Sequence, residues 1–138
     1  MTVEEAKIWL KSYRYLIKEA ERIEEELQYW QSKSQKITRE LSAQSFGGAN
    51  QNQVSNSVEK IIELEETLKQ KHTDLIKRKT EIEKTIDALQ NETYRLILKL
   101  KYINGDKWES IAVKMNYNYR WTLYLHGRAL QALCNNTA

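Results

Sequence analysis

The chain has no proline, four glycines and a single phenylalanine in 138 residues. With so few breakers, nothing obliges a helix to stop, and an all-α architecture is the default. Purely apolar runs never exceed three residues, as in Ile8-Trp9-Leu10. That excludes a helix spanning a bilayer and a signal-peptide core. Cysteine is limited to Cys134, so no internal disulfide can form, and a reducing, cytoplasmic setting is expected. One thiol and two distant histidines, His72 and His126, do not make a zinc set, and no metal is expected. There is no recognisable nucleophile–base pair, phosphate-cradling loop or carboxylate cluster. Neither enzyme activity nor a cofactor is therefore expected.

Acidic residues are scarce where basic ones are not. Residues 90–138 hold seven Lys and Arg against three Asp and Glu, a net of +4 in a chain whose total is +3. All of the excess positive charge thus sits in the C-terminal third. Such a distribution suits a polyanionic partner, and it equally suits a mildly basic solvated surface.

What is abundant is helical periodicity. Residues 2–40 read as one long helix. Thr2 followed by Glu5 makes a capping box, and Val3, Ala6, Leu10, Tyr13, Ile17 and Ala20 form an apolar stripe at spacings of three and four. Ile23, Leu27 and Trp30 continue it. Residues 42–57 carry no charge and include Gly47-Gly48, which marks a linker. A second helix is expected from Asn56 or Ser57 to Leu89. Val54, Ile61, Leu68, Leu75, Ile82 and Leu89 recur every seven residues, with Val58, Glu65, His72, Lys79 and Ile86 as the companion seam. His72 in that seam reads as a register device or a half-exposed side chain. Residues 1–89 therefore form a helical hairpin or coiled-coil arm for oligomerisation. Pattern alone leaves open whether the hairpin closes within one chain or between two.

After Leu89 the period changes. Asn91 caps a short helix carrying Tyr94, Ile97 and Leu98. Asn104-Gly105-Asp106 is a turn, with Gly105 suited to positive φ and Asp106 placed to cap a helix over 107–115. Trp108, Ile111, Ala112 and Met115 give that helix its apolar face. Asn116-Tyr117-Asn118 breaks it, with the Tyr117 ring expected to plug the corner. Asn118 then caps a last helix to about Leu133, whose Thr122, Leu125, Ala129, Leu130 and Leu133 face the core. Two helices joined by a three-residue turn make a helix-turn-helix, residues 90–138 being the module. The same pattern fits a small three-helix bundle with no affinity for DNA.

The segments Tyr94-Arg95-Leu96-Ile97-Leu98-Lys99-Leu100-Lys101-Tyr102, Trp108-Glu109-Ser110-Ile111-Ala112 and Arg128-Ala129-Leu130-Gln131-Ala132-Leu133 resemble region 4 of bacterial sigma factors. The variant also resembles the phage-encoded ArpU/RinA-type late transcription regulators, which close their last helix much as Tyr124-Leu125-His126-Gly127-Arg128-Ala129-Leu130 does. The resemblance covers about a third of the chain. It implies a DNA-binding transcription regulator of phage or prophage origin, with double-stranded DNA and RNA polymerase as partners. The chain departs from the sigma pattern in carrying Asn118 in place of Ser, Trp121 in place of Arg, and Leu123-Tyr124 in place of Arg-Gln.

From side-chain chemistry, Asn118, Tyr119, Arg120, Leu123, Tyr124, Gly127 and Arg128 share the recognition face. Arg120 suits a guanine, and the tyrosines suit phosphates or thymine methyls. His126 and Arg128 sit late on the helix, where backbone contacts prevail. Arg128 could instead pair with Glu109. Lys107 and Lys114 flank the preceding helix and could hold phosphates. Trp108 and Trp121 read as core. Two other functions fit the same segments. One is a DNA-packaging protein similar to a small terminase subunit. The other is a polymerase-docking protein that does not read DNA.

Overall fold

The computed structural model describes residues 1–43 and 51–137. Its elements are α1 (Val3–Ala43), α2 (Gln51–Asp87), α3 (Glu92–Leu98), a π-helical turn (Lys99–Ile103), α4 (Trp108–Met115) and α5 (Tyr119–Asn136). No strand occurs among the described residues, so the protein is all-α. No helix in this set is long and apolar enough to cross a membrane.

The start of α1 follows from the capping box. Thr2 N–H donates to Glu5 Oε2 (3.4 Å), and Glu5 N–H donates to Thr2 Oγ1 (3.2 Å). The start of α2 corrects the linker reading. Residues 51–57, taken from their composition as part of the connection, are helical. Gly47-Gly48 lie outside the described residues.

Two compact units divide the chain: Ile17–Asp74, and Met1–Leu16 with Leu75–Ala138. In the first, α1 and α2 run antiparallel. Glu19 meets Lys71 (2.9 Å) and Glu26 meets Lys60 (4.0 Å), so rising numbers on one helix match falling numbers on the other. Ala20, Ile23, Ile37 and Leu64 are buried between them. The α2 seam over this stretch is thus covered by α1 of the same chain. Its companion positions are shifted by one residue from those expected. Ser57 and Leu64 are buried and Lys71 is half-buried, whereas Val58, Glu65 and His72 are exposed. A spacing of three after Val54, Ile61 and Leu68, rather than four, keeps the seam on one face. His72 lies 3.3 Å from Glu24 on the hairpin surface.

The second unit gathers both ends of the hairpin around the C-terminal helices. Leu10 of α1, Ile82 and Ile86 of α2, Ile97 and Leu98 of α3, Ile111 of α4, and Leu130 and Leu133 of α5 are all fully buried. Polar ties accompany this core. Arg14 donates to the Ile103 carbonyl (3.2 Å), Lys99 pairs with Asp87 (2.5 Å), and the Asn136 side-chain amide donates to the Ala88 carbonyl (3.3 Å). Asn91 Oδ1 accepts from Tyr94 N–H (3.1 Å), which starts α3. The π-helical turn widens the end of that helix, with Asn104 N–H reaching back five residues to the Lys99 carbonyl (3.0 Å). Leu100 and Tyr102 become buried there. Gly105 has φ +74°, as the turn reading required. The single cysteine, Cys134, is buried near the end of α5.

Candidate nucleic-acid interface

The turn between α4 and α5 is built by two asparagines. Asn116 adopts the left-handed conformation (φ 58°), so that its own N–H bonds the Val113 carbonyl and the Tyr117 N–H bonds the Ala112 carbonyl (3.1 and 3.0 Å). These two bonds satisfy carbonyls that the end of α4 would otherwise orphan. Two residues later, Asn118 Oδ1 accepts from Trp121 N–H (2.7 Å) and starts α5. Thr122 is fully buried and donates to the Asn118 carbonyl (2.8 Å). With Leu125, Ala129, Leu130 and Leu133 it forms the seated face of α5, as the sequence pattern required.

Asp106 does not cap α4. Lys107 occupies the N-cap position without a side-chain bond, while the Asp106 carboxylate is 2.6 Å from Lys114. An ammonium is a stronger partner for a carboxylate than a backbone amide. Tyr117 is also not a plug: its ring is exposed, and the corner is closed by backbone hydrogen bonds instead.

The outward face of α5 holds most of the expected residues. Asn118, Tyr119, Arg120, Leu123, Tyr124, Gly127 and Arg128 are exposed, and so are Lys107 and Lys114 beside α4. No Asp or Glu occurs after Glu109. The face therefore carries only positive formal charge, with Lys114 partly neutralised by Asp106. Arg128 hydrogen-bonds Tyr94 rather than Glu109, and that bond raises its pKa further. The guanidinium is exposed and stays charged.

Two further residues depart from expectation. Trp121 is not core. It is 46% exposed and stacks on Tyr124, ring centroids 5.1 Å apart and planes 23° from parallel. Its place on the helix lies between the seated and outward faces, beside the Tyr124 ring. His126 is the reverse. It is half-buried, with Nε2 2.7 Å from the Tyr102 hydroxyl and its ring edge-on to Trp108 at 4.5 Å. Trp108 is itself half-buried, with the Lys101 ammonium 4.7 Å from its ring centre. A ring so engaged belongs to the packing between α5, α4 and the π-helical turn, and not to the outward face. Gln131, not anticipated, extends the outward face by a turn and donates to Asn135 (3.2 Å).

His126 gives the fold a sensitivity to acid. Burial first, then Lys7, Lys101 and Lys11, push its pKa down to about 4, while burial pushes the Tyr102 hydroxyl up to about 12. The unfolded chain takes up a proton near pH 6.5, whereas the folded chain takes it up only near pH 4. Stability is therefore fully present above about 6.5 and falls as the pH drops through that window. At 1.36 kcal/mol per unit the ceiling is about 3 kcal/mol, and the ring's partial exposure reduces this to roughly 1–2 kcal/mol. Denaturant titrations at pH 7 and pH 4.5 are expected to show a larger loss for the native chain than for His126→Gln. Equal losses would remove His126 as the cause.

Among the described residues no group of three His, Cys, Asp or Glu is placed to hold a metal ion. A family model described as "Protein of unknown function (DUF1492)" matches residues 34–133. The chain belongs to this family. The DUF1492 match takes in all of α2, α3 and α4 and reaches Leu133 in α5, so every residue of the outward face falls inside it. No curated protein and no solved structure matches the chain.

Proposed function

We propose that the protein is a DNA-binding transcription regulator of phage or prophage origin, akin to the ArpU/RinA-type regulators, with α5 as its recognition helix. One observation carries the reading. A capped helix preceded by a three-residue turn presents an outward face with arginine, tyrosine and asparagine but no acid. A duplex needs positive charge for its phosphates and fork-shaped donors for its base edges, and this face offers both. Arg120, the second residue of α5, reads a base. Lys107 holds the backbone at the start of α4. Residues 1–89 would bring a second copy onto an adjacent half-site.

Equilibrium gel shifts at two salt concentrations test this. Arg120→Ala is expected to cost roughly 1–3 kcal/mol on a selected site and to relax its sequence choice. Lys107→Ala is expected to weaken all sequences alike and to lower the salt slope by about one. The mass of the complex in the same titration reads one chain or two. Absence of duplex binding at low salt would refute the proposal.

A second reading has its own support. Val113 on α4 is 80% exposed, and Tyr117 and Trp121 are exposed nearby in sequence. Apolar groups of this size in the open suit a protein partner such as RNA polymerase. Binding that ignores salt and DNA sequence would favour it.

A further inference from the structure

The early turns of α1 place cations from one row against the C-terminal helices. Lys7, Lys11 and Arg14 follow spacings of four and three, beside the buried stripe of Ala6, Leu10 and Tyr13. Arg14 sets the direction of that row. Its guanidinium donates to the Ile103 carbonyl (3.2 Å) and occupies the space that a side chain at Gly105 would need. The row therefore borders the π-helical turn. From that turn Lys101 reaches the Asp106 carbonyl (3.5 Å), and its ammonium stands 4.7 Å from the centre of the Trp108 ring. The charges of Lys7, Lys101 and Lys11 all bear on His126, whose ring is edge-on to Trp108. Cations from two elements thus gather at one place, next to Lys107 of the candidate interface.

Carboxylates do not balance this group. Glu4, itself exposed, pairs with Lys7 (3.6 Å), and Glu5 is engaged in the capping box. Lys114 takes the Asp106 carboxylate (2.6 Å), and Glu109 is exposed in the first turn of α4. Among the described residues Lys11, Arg14 and Lys101 form no ion pair. The arrangement does not serve the fold. Lys7 and Lys11 stand four residues apart, where like charges weaken a helix. Both also act against protonation of a half-buried imidazole. Cations gathered without carboxylates raise the local potential, which draws a polyanion.

We propose, on the DNA-binding reading above, that Lys7 and Lys11 of α1, beside Lys101, hold the sugar–phosphate backbone of a duplex outside the stretch read by α5. Lysine suits the task. An ammonium on a flexible stem is a point charge that meets a phosphate without reading sequence. The start of α1 is then part of the DNA-binding surface and not only of the arm. Base choice stays with α5.

The test uses the full chain in gel shifts across a salt series, on a duplex that it enriches from a random pool and on a scrambled one. Lys7→Gln with Lys11→Gln is expected to weaken both duplexes alike, roughly tenfold or more at low salt, and to lower the salt slope by about two. The ratio of affinities for the two duplexes should not change. Lys7→Arg with Lys11→Arg keeps the charges and is expected to keep the slope. Lys77→Gln with Lys84→Gln removes as much charge from exposed positions on α2 in the same compact unit, and is expected to change the slope little. The Lys7 and Lys11 glutamine pair should also melt no lower than the native chain at pH 7. It should lose less stability in acid, because relief from two cations lets folded His126 protonate nearer its ordinary pKa. An unchanged slope, an equal fall in slope for the α2 pair, or melting well below the native chain would overturn the role of α1 and leave DNA binding intact. Failure of the native chain to bind any duplex would overturn both.

Discussion

A chain cut down to residues 89–138 is expected to lose cooperative folding. The helix-turn-helix looks separable in sequence, yet its core is shared. Leu10, Ile82 and Ile86 are fully exposed to deletion by such a cut, and all three are completely buried within the unit that contains α3, α4 and α5. Burying one such side chain contributes about 1.5–3 kcal/mol, so losing three removes roughly 5–9 kcal/mol. That is comparable with the whole net stability of a small domain, about 5–15 kcal/mol. The cut also removes Arg14, Asp87 and Ala88, whose bonds to Ile103, Lys99 and Asn136 tie down the π-helical turn and the end of α5. Thermal melts followed by circular dichroism are expected to give a sharp transition for the intact chain and a broad, shallow one for the fragment. A fragment melting cooperatively within about 5 °C of the intact chain would show that α3–α5 stand alone.

Within the intact chain, Leu130→Ala is expected to cost about 2–5 kcal/mol. Leu130 is 1% exposed on the seated face of α5. For a chain of this size that corresponds to a drop of roughly 10 °C. Tyr119→Ala supplies the contrast. It lies on the outward face, so its effect on stability should stay within about 0.5 kcal/mol. Urea titration reads both, with the slope unchanged if the native state keeps its compactness. A loss below about 1 kcal/mol for Leu130→Ala would mean that α5 is not seated by this face.

The contrast between these variants shows where sequence reasoning works best. Asn91, Gly105, Asn116 and Asn118 each act through their own backbone and the next few residues, and their roles were legible because capping and left-handed turns are local events. The seated face of α5 was legible because its period is regular. Among the readings that failed, three have a plain physical cause. Residues 51–57 were read as linker for want of charge, but glutamine, asparagine and serine lie only tenths of a kcal/mol from good helix formers, and burial of Ser57 decides the matter. The companion seam of α2 was placed one residue late at Val58, Glu65 and His72, while Ile86 is buried as expected. Lys71 and Arg78 count as polar in any pattern, yet both are half-buried in the true seam, with aliphatic stems suited to packing. His126 looked like a surface cation because Tyr102 and Trp108, which hold it, are 24 and 18 residues away in the chain.

Cys134 offers a consequence of another kind. Thiol reagents attack the thiolate, and a buried sulfur meets them only when the surrounding structure opens. With one thiol in the chain, covalent labelling yields a single signal from a single place, the last turns of α5. The labelling rate under native conditions is therefore a chemical clock for the lifting of that helix end. Run with and without a duplex, the same clock would time how strongly an occupant of the outward face restrains the helix from behind, with no engineered probe and no other thiol to silence.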